Sequence, residues 1–135
     1  MEKNNYVKNF DKWNFLKKEI NNRNTLENIV IAKPKDLWWC HFGVNIGNEQ
    51  DGNGNNFERP ILVIKKLSNT TFLCAPLSTR KKLEKFQSEV THKNIKGYAL
   101  LDQIRVLDVK RLLRRIGFVE QREFEIVIHK LKELL

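Results

Sequence analysis

Two cysteines, Cys40 and Cys74, are all that this 135-residue chain contains. That is too few for a disulfide framework or a cysteine-rich zinc site, and a reducing, cytoplasmic setting is the simplest expectation. The three histidines, His41, His92 and His129, have no metal-ligand neighbour at a useful spacing, so no metal and no cofactor are expected. No glycine-rich loop ends in Lys-Ser or Lys-Thr, which excludes a P-loop nucleotide site. The glycines at Gly43, Gly47, Gly52 and Gly54 do not open onto a helix. Apolar runs extend for only a few residues, so no segment is expected to cross a bilayer, and no secretory leader pattern opens the chain. Acidic side chains are also scarce: 16 Asp and Glu face 25 Lys and Arg, a net charge of +9.

What is present describes one ordinary globular domain. The length is too small for two independent cores, and 41% hydrophobic with 30% charged residues is neither a disordered nor a fibrous composition. The positive surplus is uneven: residues 1–36 and 78–135 carry it, whereas 37–77 are balanced. Two clusters dominate the last segment, Arg80, Lys81, Lys82 and Lys85, then Arg105, Lys110, Arg111, Arg114 and Arg115. Either could be a solvated face. Two such runs bracketing predicted strands point instead to a surface that meets phosphates, as a nucleic acid presents.

Trp13, Leu16 and Ile20 recur at helical spacing and predict a short amphipathic helix from Asp11, its N-cap, to the asparagines at 21–24. Residues 1–35 thus read as an extension, in which 28–32 could add an extended piece. Strands are expected over Leu37–Phe42, over Pro60–Lys66 and Thr71–Pro76 as a hairpin, and over Phe86–Thr91. Another runs through Tyr98–Leu101 and Gln103–Leu107, with a break at Asp102. A long flexible glycine- and asparagine-rich loop spans Asn45–Glu58. Asp108 is expected to cap a helical turn through Arg114, followed by a strand over Gly117–Glu120. Phe124, Val127, Ile128, Leu131, Leu134 and Leu135 mark a C-terminal amphipathic helix from about Gln121. Short strands closed off by a terminal helix describe a mainly β chain, a small barrel or sandwich over residues 36–135.

Cys40 and His41 are sequence neighbours, but neighbours on a strand point to opposite faces, so they are not a nucleophile–base pair. The remaining chemistry lies at strand and loop ends: Glu49, Glu58, Arg59, Ser78, Thr79 and Asp102-Gln103. Such residues beside a basic field suit phosphoryl chemistry without a metal. Arg59 could equally pair with Glu58, and Asp102 could simply terminate a strand.

These residues fall within a recognisable pattern. Asp36-Leu37-Trp38-Trp39, Phe42-Gly43, Gly47-Asn48-Glu49-Gln50 and Arg59-Pro60-Ile61-Leu62-Val63-Ile64 resemble the opening of the MazF/PemK family of toxin endoribonucleases. Ala75-Pro76-Leu77-Ser78-Thr79, Gly97 through Arg105, Asp108 with Lys110-Arg111-Leu112, and Ile116-Gly117 follow in the family's order and spacing. The resemblance implies an SH3-like β-barrel with a C-terminal helix, a homodimer, and metal-independent cleavage of single-stranded RNA. The products would carry 2′,3′-cyclic phosphate and 5′-hydroxyl ends. It also implies a cognate antitoxin protein as partner, whose acidic tail would cover the basic groove.

By motif position, Arg59, Ser78 and Glu49 would be catalytic. Arg59 would stabilise charge on the phosphate, Ser78 would donate a hydroxyl to it, and Glu49 would activate the 2′-hydroxyl. Thr79, Arg80, Lys81, Lys82, Asp102, Gln103 and Arg105 would bind RNA. The sequence departs from the family in a loop lengthened at 53–57, in His41 where aspartate is usual, and in Ser78 where threonine is commoner. The alternative of another class is a barrel that binds RNA or a regulatory partner without cutting. The N-terminal helix is expected to pack on its own barrel rather than to dock a partner.

Overall fold

The computed structural model describes residues 6–24, 32–81 and 86–135. The element order is α1 (Phe10–Asn21), β1 (Asp36–His41), β2 (Glu58–Lys66), β3 (Thr71–Ser78), β4 (Gln87–His92), β5 (Ile95–Leu100), β6 (Arg105–Asp108), β7 (Leu112–Phe118) and α2 (Gln121–Leu134). The strands form one antiparallel sheet in the order β4-β5-β3-β2-β1-β7, with β6 beside the first half of β3. The mainly β architecture is the one the sequence predicts.

The run Ile61-Leu62-Val63-Ile64 shows why β2 sits centrally. Alternate residues of a strand face opposite sides, and here both sides are buried. Ile61 and Val63 join Cys40, Phe72, Cys74 and Leu107. Leu62 and Ile64 join Leu37, Ala75, Val127 and Leu131 beneath α2. Each such buried Leu, Ile, Val or Phe side chain contributes about 1.5–3 kcal/mol. Phe124, Ile128 and Leu134 pack on that second cluster from α2, whereas Leu135, expected on the same stripe, is exposed.

The sheet curls without closing its hydrogen-bond ladder, so "barrel" is a loose description of it. At its open seam the His92 ring at the end of β4 lies over Gly117 of β7, and Nδ1 is 3.1 Å from the Phe118 carbonyl. A side chain there takes the place of strand pairing.

Three local expectations are corrected. The N-cap of α1 is Asn9, whose side chain accepts from the Lys12 N–H, and Asp11 lies in the first turn. Asp108 does cap, accepting from the Lys110 N–H, but the turn is a single 3₁₀ turn over Val109–Arg111. Leu112 already pairs with Cys40, so β7 begins five residues before Gly117. The break at Asp102 is a 3₁₀ turn over Leu101–Gln103 separating β5 from β6. The extended piece expected over 28–32 falls outside the described residues except for Ala32, which is buried. Helix α1 packs on its own domain: Trp13, Ile20, Val44 and Phe57 form a third buried cluster. No helix among the described residues is long and apolar enough to cross a membrane.

Candidate active site

The site begins where β3 changes partner. Ile61↔Pro76 is the outermost pair between β2 and β3, and Leu77 and Ser78 pair with β5 instead, opposite Ala99 and Tyr98. Beyond this fork β2 pairs with β1, through Cys40↔Arg59 and His41↔Glu58, and at its first residue Glu58 bridges Asn53 of the loop between them. Pro60, which has no N–H to give a second neighbour, fits this one-sided stretch. Arg59 fills the fork. Its Nη1 donates to the Leu77 carbonyl at 2.9 Å, and its Nε donates to the Asp51 carbonyl at 2.6 Å. A guanidinium has five N–H donors in a fixed fork, so two bonds orient the plane and three donors stay uncommitted among the described residues. Burial pulls its pKa down, opposed by the charge of Asp51; it remains a cation at any working pH.

The second wall is the loop between β1 and β2. Its neck closes where the Phe42 and Gly43 N–H groups donate to the Phe57 carbonyl and Gly52 N–H donates to Gly43. Its hub is Asp51, a buried carboxylate. Oδ1 accepts from the Asn45 N–H at 2.6 Å, and Oδ2 accepts from the Tyr6 hydroxyl at 2.8 Å and lies 3.4 Å from Lys8 Nζ. The stretch expected to be a flexible loop is thus tied down at both ends and in the middle. Gln103 holds its outer side, accepting from the Gln50 N–H and donating to the Asn48 carbonyl.

Between fork and loop lies an open cleft of about 1040 Å³. Arg59, Ser78, Thr79, Arg80 and Glu49 all line it, with Trp39, Tyr6 and Lys8. Ser78 Oγ accepts from the Arg80 N–H at 3.1 Å, so the hydroxyl proton is left to donate elsewhere. Glu49 is exposed, and one carboxylate oxygen accepts from the Ile46 N–H at 2.9 Å. Glu58 pairs with Arg114 at 3.1 Å rather than with Arg59. Arg114 also lies over the Trp39 ring, 5.0 Å from its centroid. The arrangement offers an anionic ligand a fixed guanidinium, a hydroxyl and a backbone-anchored basic turn, with a carboxylate at the rim.

A family model described as the PemK-like, MazF-like toxin of type II toxin–antitoxin systems matches residues 33–135. The chain belongs to the PemK/MazF family. Among solved structures it is similar to MazF from Deinococcus radiodurans (TM-score 0.64, 24% identity), covering 78% of this chain and 96% of that one. It is also similar to the MazE–MazF complex of that organism (0.60, 20%), covering 78% and 95% respectively. A mycobacterial endoribonuclease in complex with its cognate antitoxin gives 0.58 at 14%, covering 76% and 93%. At these identities the likeness concerns the fold. No curated protein matches the chain.

Within this PemK/MazF frame the other residues singled out from the sequence are placed as follows. Arg105 Nη1 donates to the Asn45 side chain at 3.3 Å, and its guanidinium lies 5.2 Å from the Phe42 ring centroid, so it braces the loop from below. Asp102 is exposed on the 3₁₀ turn, and neither it nor Lys81 lines the cleft. Lys82 falls outside the described residues. Cys40 is fully buried, and burial pushes its thiol up to about 12, which makes it a packing residue. Sequence reasoning missed Asp51, Tyr6 and Lys8. Tyr6 and Lys8 lie outside the family match, and only their contacts across the fold reveal their place.

Proposed function

We propose that this chain is the toxin of a toxin–antitoxin pair and acts as an endoribonuclease on single-stranded RNA. The single observation that carries the reading is the Arg59 guanidinium. Two backbone carbonyls hold it, its remaining donors are uncommitted among the described residues, and the Ser78 hydroxyl follows directly on Leu77, the residue that anchors it.

In the proposed reaction the ribose 2′-oxygen attacks the adjacent phosphorus and the bond to the 5′-oxygen breaks. The products are a 2′,3′-cyclic phosphate and a 5′-hydroxyl. Negative charge grows on the non-bridging oxygens in between, and a preorganised guanidinium pays no reorganisation cost when it meets that charge. Two parallel N–H donors from Arg59 suit two such oxygens, and Ser78 adds an O–H donor. Glu49 accepts the 2′-hydroxyl proton at the rim, and water returns a proton to the departing 5′-oxygen and regains one from Glu49, while Arg59 stays a cation. No step requires a metal. Thr79 and Arg80 continue the surface along which the RNA backbone lies, and the active unit is a homodimer restrained by a cognate antitoxin.

The test is a set of matched oligonucleotides differing only in the sugar at the cut site. The ribose version is cut and the 2′-deoxy version is left intact, because the nucleophile is missing. Equal cutting of both overturns the mechanism. Tight binding with no cutting of either supports the alternative, a non-catalytic RNA-binding module.

A further inference from the structure

The N-terminal arm, residues 6–24, lies before the segment matched by the family model and yet reaches the cleft. It grips the β1–β2 loop along its whole length. At the neck, Trp13 stands against Gly43, where an added Cβ would meet its ring at 2.4 Å, and tilts against Phe57 with centroids 5.6 Å apart. At the tip, Lys12 Nζ donates to the Asn55 side chain at 2.8 Å. In the middle, Lys8 and Tyr6 converge on Asp51, whose carbonyl holds Arg59 Nε.

We propose that Tyr6 and Lys8 are positioning residues of the active site, holding the Asp51 peptide against Arg59 so that the guanidinium faces the scissile phosphate. The inference rests on the endoribonuclease reading and deepens it. Lys8 has three N–H donors, and three acceptors surround its nitrogen: Asn45 O at 2.5 Å, Gly47 O at 2.8 Å and Asp51 Oδ2 at 3.4 Å. A lysine so committed is a clamp on the loop rather than a ligand for phosphate. Tyr6 donates to a carboxylate, and burial together with that bond pushes its hydroxyl up to about 12, so the donor stays protonated. Without these two partners the buried Asp51 carboxylate keeps, among the described residues, the Asn45 N–H alone and must seek water. The segment carrying its carbonyl shifts with it.

The experiment compares the full-length wild type with Tyr6→Phe, Lys8→Met, the double variant and Lys8→Arg. Lys17→Ala, on the exposed side of α1, is the control. One readout is independent of activity: hydrogen exchange of the Arg59 Nε–H in a ¹⁵N spectrum, assigned by its loss in Arg59→Lys. The other is RNA cleavage, separated into kcat and KM. The expected result is an Nε–H that exchanges slowly in the wild type and faster by about tenfold or more in the double variant. Its kcat falls about tenfold to a hundredfold with little change in KM. Lys8→Arg restores part of the loss, Lys17→Ala changes nothing, and thermal unfolding verifies that each variant is folded. Exchange and kcat in the double variant within about twofold of the wild type overturn the proposal. If the wild type does not cut RNA at all, the endoribonuclease reading fails, and the exchange measurement still decides whether the arm positions Arg59.

Discussion

The Leu77 carbonyl accepts a 2.9 Å hydrogen bond from Arg59 Nη1, and the next residue in the chain is Ser78. One peptide therefore fixes the distance between the cation and the hydroxyl. Arg59→Lys keeps the charge but has no planar fork to span two carbonyls and a phosphate. It is expected to lose about a hundredfold or more in single-turnover cleavage, the scale for removing a preorganised donor. Ser78→Ala loses less, about tenfold, while Ser78→Thr retains most of the rate because the hydroxyl survives. An Arg59→Lys variant as fast as the wild type would show that charge alone suffices.

His41 links the arm to the loop as a neutral ring. Its Nδ1 is 2.8 Å from the Asn56 carbonyl, which can only accept, so Nδ1 carries the proton. Nε2 therefore accepts from Arg23 Nη2 at 3.2 Å. Burial lowers the imidazole pKa below its usual 6.5, and the Arg23 charge adds to the effect. In the unfolded chain the ring regains its ordinary pKa and takes up protons first as the pH falls. The stability this ring contributes is complete above about pH 6.5 and declines below it. The midpoint of urea unfolding should drop between about pH 7.5 and 5.5, and His41→Gln should flatten that slope.

Gly52 leaves no room for a side chain. A Cβ there would meet the Phe57 carbonyl oxygen at 1.9 Å. Gly52→Ala must open the neck of the loop, and a cost of about 1–3 kcal/mol is expected in chemical denaturation, with loss of cleavage because the Asp51 carbonyl moves too. Gly54 is the contrast: its φ is +73° but nothing lies within 4 Å. Asparagine tolerates that left-handed conformation, so Gly54→Asn should stay within about 1 kcal/mol of the wild type.

Trp13 is the largest side chain in the third buried cluster. Trp13→Ala is expected to cost about 3–5 kcal/mol in equilibrium unfolding. The loop beside it should become accessible to limited proteolysis.

Much of this architecture is readable without coordinates because it is local. The unbroken apolar run Ile61–Ile64 gives the central strand, the spacing of Phe124, Val127 and Leu131 gives the last helix, and the motif positions bring Arg59, Ser78 and Glu49 to one cleft. What escapes is what depends on distant partners. Leu112-Leu113 followed by two arginines reads like a helical turn, but pairing with Cys40 and Trp39 in β1 makes it a strand. Arg105 reads as an RNA ligand from its place in a basic run, and its contacts with the Phe42 ring and the Asn45 side chain, 60 or more residues earlier, are visible only in the fold. Asp51 sits in a polar run of no evident pattern, and its hydroxyl partner is Tyr6, 45 residues earlier.

The most direct measurement is single-turnover cleavage of an unstructured RNA in excess EDTA by the wild type and by Arg59→Ala, with the new ends identified chemically. Expected are cyclic phosphate and 5′-hydroxyl ends from the wild type, with a rate lower by about a hundredfold or more in Arg59→Ala. Cleavage by Arg59→Ala as fast as the wild type, or intact RNA bound tightly by both, would contradict the account.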